Sequence, residues 1–412
     1  MTAEPVIVLG AGLAGVCTAL ALRRRGRRVT ILDQAADCLQ RASLRNEGKI
    51  HLGLVYANDP SARTATLMLE AAFQFDRIVE GLVGAPVDWA PLRSSPFRYA
   101  VLPGSLRTPG ELRGAYAILQ ARHDQLARDE SLTYLGTRPE ALWRPLAEPA
   151  ACEWLGPGVA TGVVATAELA LDLPGFCELL RAALGAAEGI ERRWCHRVDH
   201  VERTAGGYRL RGRTLAGEPW AIRAGAVVNC LWEDRMRLDA QLGFRPSRPW
   251  VHRLKYRLLG RLSPALRELP SFTLVLGPFG DIVTWPSGRA YLSWYPACLR
   301  GWSSELTVPE TWRPACDGQA EPGIAREVAA GALEALDRVV PGLGAMAVDT
   351  VDAGIITAWG ATDIEDPASG LHERHDVGPW AADGWASVDT GKLTTAPLFA
   401  ERAAALVVEG TA

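Results

Sequence analysis

The apolar run Val6, Ile7, Val8 and Leu9 breaks into Gly10, Gly12 and Gly15, and a second apolar run, Val29 to Leu32, ends at Asp33. Gly10 allows a sharp turn out of a strand, Gly12 lets backbone approach a pyrophosphate, and Gly15 lets the next helix pack closely on the sheet. Ala14 to Arg25 reads as that helix, so Leu13, Ala14 and Gly15 sit at its start, where the N-terminal N–H groups and dipole attract phosphate. Asp33, followed by Gln34, falls where an acid accepts hydrogen bonds from a ribose. A glycine triplet alone is weak evidence. With strand, helix, second strand and acid in register, it predicts a dinucleotide cradle.

With 412 residues and 48% hydrophobic content, the chain can bury a large core and is long enough for two or three domains. A net charge of -3 offers no electrostatic case for nucleic acid or an anionic membrane, so the expected partner is a small molecule. The eight cysteines, at 17, 38, 152, 177, 195, 230, 298 and 316, show no paired or finger-like spacing. That pattern fits reduced cytoplasmic thiols and gives no metal site. Pro5 to Leu22 is uncharged but has no basic residue before it, so no export signal is expected, and no other apolar run approaches a membrane span. Only three of the 44 basic residues are lysines, Lys49, Lys255 and Lys392. Where arginine serves for general surface charge, a retained lysine points to a place that uses a compact, titratable ammonium.

Further along, Arg45 to Gly53 is dense in polar groups and glycine, which a core segment would not be. Ser61 can cap the helical pattern carried by Leu67, Ala71, Phe75, Ile78, Val79 and Leu82. Val87 to Val101 reads as an excursion into another domain, Glu111 to Arg128 as a helix, and Asp172 with Pro174 as the opening of a helix through Leu184. Strands are expected at Val198–Val201, Tyr208–Leu210, Ala226–Cys230, Val251–Leu259, Phe272–Leu276, Ile282–Trp285, Tyr291–Trp294 and Ala386–Val388, and helices at Ile324–Val340 and at the C-terminal end. Asp352 to Trp359 and the acidic stretch Thr362 to Asp366 read as a solvated loop, or else as charges facing a basic substrate.

Three blocks resemble the D-amino-acid-oxidase-like (DAO) superfamily of FAD-dependent oxidoreductases: the glycine cradle with Asp33, the segment Arg45-Asn46-Glu47-Gly48-Lys49-Ile50-His51-Leu52-Gly53, and Asp389-Thr390-Gly391-Lys392-Leu393-Thr394-Thr395-Ala396-Pro397. The resemblance implies an α/β fold: a Rossmann-like FAD-binding domain of the glutathione-reductase type and a second domain on a mixed, largely antiparallel sheet. Residues 1–85, 151–245 and 346–412 would form the first, and 86–150 and 246–345 the second. It further implies pyrophosphate at Gly10 to Gly15, ribose on Asp33, adenine near Val198, and isoalloxazine flanked by Ser43, Asn46, Gly48 and Lys49. Gly391, Lys392, Leu393, Thr394 and Thr395 would face the pyrimidine end, where Lys392 and a helix N-terminus stabilise negative charge on reduced flavin.

His51 is either an acceptor of the substrate proton, a flavin attachment point, or a histidine bonded to backbone. In the sarcosine-oxidase branch a lysine near N5 promotes reaction with oxygen; Lys255 points inward as such a lysine, or lies on an exposed edge strand. Tyr56 and the group Arg289, Tyr291, Trp294 and Tyr295 are the candidate substrate residues, combining a carboxylate fork with aromatic walls. The resemblance implies oxidation of a C–N bond of a small amino acid or amine, with O2 as acceptor. The Ile50-His51 block leans instead toward 2-hydroxy acids. Flavin monooxygenases share the first motif, but their late Gly-Asp pair has its counterpart here only in Gly280-Asp281, inside strand-like sequence. An NAD-dependent dehydrogenase and a non-enzymatic nucleotide sensor are the other classes open to a nucleotide cradle.

Overall fold

The computed structural model describes residues 4–147, 151 and 153–410, so Cys152 lies outside the described residues. Val6–Leu9 is buried at every position and forms a central strand of a six-stranded sheet. It pairs in parallel with Val29–Leu32 on one side and Val227–Asn229 on the other. A strand with partners on both sides and helices over its faces must be apolar throughout, which is why the run reads as continuous rather than alternating. Ile190–Arg193 and Trp385–Val388 extend the sheet in parallel, and Pro379–Ala382 closes one edge antiparallel. The helix Leu13–Arg24 packs beneath it, uncharged until Arg23 and Arg24 in its last turn, where cations complement the helix dipole.

A second, nine-stranded sheet runs in the order Leu299–Ser303, Trp250–Arg261, Arg289–Trp294, Gly280–Thr284, Ser271–Val275, Phe97–Val101, Gly162–Thr166 and Trp143–Pro145, with Ala347–Trp359 paired along Trp250–Arg261. Only the contact of Ser271–Val275 with Phe97–Val101 is parallel. The sheet is thus mixed and mostly antiparallel, as expected. Gly162–Thr166 and Ala347–Trp359 belong to this sheet, although both fall inside segments assigned from sequence to the nucleotide-binding domain. A three-stranded meander, His196–Thr204, Gly207–Thr214 and Pro219–Ala224, stands beside the first sheet, and Lys49–Ile50 pairs with Leu169–Ala170.

Two local expectations are corrected. The helix after Ser61 is Arg63–Val83 and begins at Ala62 in a left-handed conformation; Ser61 still accepts the Arg63 N–H through Oγ at 3.2 Å. The segment read as a solvated loop from Asp352 is the end of the long strand Ala347–Trp359. Its Asp352 is buried because the Arg257 Nε donates to it at 2.6 Å and Arg45 Nε lies 3.1 Å away, so the charge is compensated where it stands. Asp363 likewise faces inward, with Arg253 Nη1 at 2.9 Å. No helix of the described residues is long and apolar enough to cross a membrane.

Candidate active site

The glycine cradle leaves no room for side chains. A Cβ on Gly15 would stand 1.8 Å from the Gly10 carbonyl oxygen, and one on Gly10, itself at φ +87°, would stand 2.9 Å from the Cys230 carbonyl oxygen. The Leu13 N–H donates to Ser43 Oγ at 3.1 Å, fixing the start of the helix against the next motif. Asp33 accepts the Ala11 N–H at 2.6 Å and the Ala35 N–H at 2.8 Å. Burial pushes its carboxyl up, partly offset by those two donors.

From this cradle one cleft runs through two adjoining cavities of about 740 and 850 Å³. Gly10, Gly12, Asp33, Gln34, Ser43 and Val198 border the first. The second meets Gly12, Leu13 and Ala14 at one end, Asn46, Lys49 and His51 along its side, and Gly391, Lys392 and Leu393 opposite. Both ends of the chain therefore face one space, sized and walled for an elongated dinucleotide. Trp232, at φ +52°, borders both cavities and donates its indole N–H to the Ile355 carbonyl at 2.8 Å. FAD fits this donor set and shape: a glycine turn and helix N-terminus for phosphate, and a wide polar chamber beyond for the ring.

Several expected residues border no part of the cleft and act by holding it. Gly48 donates its N–H to Asn46 Oδ1 at 2.8 Å and packs against Leu171, whose carbonyl oxygen would be 2.3 Å from an added Cβ. Thr394 Oγ1 accepts the His51 N–H at 2.8 Å, a direct tie between the second motif and the last. Thr395 Oγ1 donates to the Thr390 carbonyl at 2.6 Å and thereby shapes the closing turn.

All three lysines converge on one buried group of charges. Lys49 borders the ring cavity, yet its ammonium turns into the sheet, 2.6 Å from Asp281 Oδ1, 2.5 Å from Thr273 Oγ1 and 3.9 Å from Glu168 Oε1. Asp281 thus serves a lysine rather than a pyrophosphate, which removes the monooxygenase counterpart. Lys255 points inward on a strand paired along both sides, so the exposed-edge alternative is overturned; its ammonium sits 5.7 Å over the Tyr295 ring. Although burial opposes its charge, Tyr291, Glu47 and Asp281 outweigh that and raise its pKa. Lys392 Nζ lies 3.9 Å from Glu47 Oε1. Burial pulls Lys392 down to about 8; Glu47 resists, while Arg374, Lys255 and Arg253 add to the fall. Burial alone would raise Glu47, but Lys392, His51 and Lys255 outweigh it and hold the carboxyl well below its usual range.

His51 stands between two carboxylates, Nε2 at 3.8 Å from Glu47 and Nδ1 at 3.9 Å from Glu168, and neither nitrogen has a hydrogen-bond partner among the described residues. Burial lowers its pKa more than those acids raise it, so the imidazole is neutral. The Tyr56 ring meets it edge-on at 5.5 Å, with its own hydroxyl unpartnered. The structure separates the remaining expected substrate residues. Tyr295 donates its hydroxyl to Asp363 at 2.9 Å and also meets Arg253. Trp294 packs against Phe279, 6.2 Å between ring centres, in the apolar core of the large sheet. Arg289 and Tyr291 face a side chamber instead of the ring cavity, because Asp172 Oδ1 holds Arg289 Nη1 at 2.8 Å.

Sequence reasoning missed four of these charges. Glu168 is fully buried, accepts the Leu52 N–H at 2.7 Å and also bonds the Tyr99 hydroxyl. A lone glutamate inside the apolar stretch Thr166 to Leu171 was its only signal. Glu47 lay within a quoted motif, four residues before His51, and Arg253 two residues before Lys255. Arg374 had no local signal: it is 7% exposed, has no carboxylate within ion-pair distance among the described residues, and lies within electrostatic range of Tyr56, Arg253, Asp389 and Tyr295.

Comparison with known proteins fits this geometry. The fold is shared with glycine oxidase from Geobacillus kaustophilus (TM-score 0.65, 16% identity, 99% of this chain and 95% of that one). It is likewise shared with iminodiacetate oxidase from Chelativorans sp. BNC1 (TM-score 0.66, 17% identity, 98% and 95%) and L-amino acid deaminase from Proteus vulgaris (TM-score 0.67, 14% identity, 99% and 94%). A tRNA 5-methylaminomethyl-2-thiouridine biosynthesis bifunctional protein of Stutzerimonas stutzeri is 36% identical over 85 residues, which is 20% of this chain and only 12% of that protein. The family model described as FAD dependent oxidoreductase matches residues 5–406, and on that near-complete match the chain belongs to the DAO family of FAD-dependent oxidoreductases.

Proposed function

We propose that the protein oxidises the carbon–nitrogen bond of a small amino acid or amine and passes the electrons to O2. Bound FAD supplies the acceptor for the hydride that leaves carbon. Gly10, Gly12, Asp33 and Ser43 would hold its nucleotide end, and Asn46, Gly391 and Leu393 would border its ring. The chain then divides into a FAD-binding part on the six-stranded sheet and a substrate part on the nine-stranded one.

The observation that carries the proposal is the Lys392–Glu47 pair on the ring-cavity wall. An alkylammonium titrates near 10, and a neutral lysine poised near 8 takes its proton at a modest cost. The proton moves from substrate nitrogen to Lys392 Nζ, and the freed lone pair then assists departure of hydride from the adjacent carbon. An alcohol hydroxyl is far too weak an acid to gain as much from such a base. Arg374, buried without a carboxylate partner, supports a substrate that brings its own carboxylate. Lys255 supports O2 as acceptor, since a fixed ammonium stabilises negative charge arriving on oxygen. The described cysteines are all free, which supports a reducing, cytoplasmic setting.

His51 favours one second reading. A neutral imidazole with both nitrogens unpartnered can take a hydroxyl proton, as oxidation of a 2-hydroxy acid requires. Anaerobic mixing of the yellow holoenzyme with amino acids, amines and 2-hydroxy acids decides between them. Bleaching by amino acids or amines with release of the imine hydrolysis products is expected; bleaching by hydroxy acids alone would reverse the assignment.

A further inference from the structure

Beside the ring cavity lies a second chamber of about 670 Å³, sharing with it the wall Arg45, Asn46 and Glu47. Its charges do not cancel. Asp352 serves two guanidinium groups at once: Arg257 donates to it from Nε at 2.6 Å and Nη2 at 3.2 Å, and Arg45 Nε lies 3.1 Å away. Arg289, partly exposed at 37% of its side chain, has Asp172 as its carboxylate, itself already used to cap the helix Leu173–Ala186. Three cations thus face two carboxylates, while Glu47 is matched by Lys392 on the ring-cavity side. The buried Trp285 indole N–H has no hydrogen-bond partner among the described residues, and Leu171, Leu173 and Leu259 supply apolar wall.

A dry slot with one uncompensated positive charge and a free N–H donor is built for an anion carried on an apolar arm. We propose that this chamber binds a second anionic group of the substrate, so that the molecule oxidised is an amino acid or amine with a distal carboxylate or phosphonate-like terminus. The proposal rests on the amine-oxidising reading above. The substrate would lie across the ring cavity with its amine near Lys392 and its far end beside Arg289 and Trp285. Arg45 and Arg257 would contribute field, since their forks are already committed to Asp352.

The test is binding rather than turnover. The holoenzyme is titrated with α,ω-dicarboxylates of increasing length, with monocarboxylates of equal length and with acids ending in a phosphonate, and the shift of the flavin absorbance is followed. One added charge-assisted contact predicts about tenfold or more tighter binding of the dianions that reach the chamber. In Arg289→Gln and Trp285→Phe that preference over the monoanion falls toward unity, and tighter binding of the phosphonate than the carboxylate series would identify the anion type. Equal binding of mono- and dianions at every length, or a preference that survives both substitutions, overturns the chamber assignment alone. Failure of any carboxylate to perturb the flavin overturns the amine-oxidising reading together with it.

Discussion

The Lys392 ammonium lies 3.9 Å from Oε1 of Glu47, although the two residues belong to motifs at opposite ends of the chain. Neither is placed by its own neighbours. Glu47 arrives through the loop before the short strand Lys49–Ile50, Lys392 through the turn before the helix Ala396–Glu409, and the Thr394 bond to the His51 backbone locks the two together.

That pair sets a pH dependence. Lys392 accepts a proton only when neutral, so kcat/KM for an amino acid rises as pH passes upward through about 8 and is lost below it. Lys392→Met removes this limb and lowers kcat/KM by about 100-fold or more, the usual worth of a positioned base. Steady-state rates across pH with both proteins check it; an unchanged limb in the variant assigns the titration elsewhere.

Gly15→Ala tests the cradle without touching any charge. Its Cβ would overlap the Gly10 carbonyl oxygen, so the strand-to-helix turn must open, at about 1–3 kcal/mol for such overpacking. The variant is expected to purify with little FAD and to bind added FAD at least about tenfold more weakly, read from flavin absorbance per protein. Full yellow colour would show that the turn relaxes at no cost.

The glycines, Asp33 and their strands were legible because each acts through its immediate neighbours in sequence. The lysines were legible through scarcity, since a chain that otherwise uses arginine kept three, and all three meet around Glu47, Asp281 and Glu168. What stayed hidden depends on distant partners. Alternation along Arg289–Trp294 says that two faces differ but not which one meets the ring cavity; Asp172, on a separate segment, draws Arg289 into the side chamber. Asp352 broke the strand pattern of Ala347–Trp359 because nothing local reveals that Arg45 and Arg257 neutralise it. Arg374 comes from a loop whose sequence carries no period at all.

Arg374 gives a second kinetic prediction. If it anchors a substrate carboxylate, Arg374→Leu raises KM for an amino acid by about tenfold or more relative to its effect on the corresponding amine lacking the carboxylate. The comparison of the two substrates within one variant corrects for any general loosening of the site. Equal effects on both would detach Arg374 from carboxylate binding.

Lys49 and Asp281 form the innermost pair, 2.6 Å apart, with Lys49 3% exposed and Glu168 a further 3.9 Å from the ammonium. Removing one partner leaves an uncompensated charge in a dry interior, which costs about 3–5 kcal/mol, whereas replacing both with apolar groups of similar size costs far less. Lys49→Met and Asp281→Leu should therefore each lower stability strongly in urea unfolding of FAD-saturated protein, and the double variant should be more stable than the sum of the two losses. The recovery should stay incomplete, because Lys49 also answers Glu168, and loss of the ammonium leaves that carboxylate with only the Leu52 N–H and the Tyr99 hydroxyl. Strict additivity would mean that the two charges are each solvated independently, and the buried charge group around the ring cavity would then have no energetic unity.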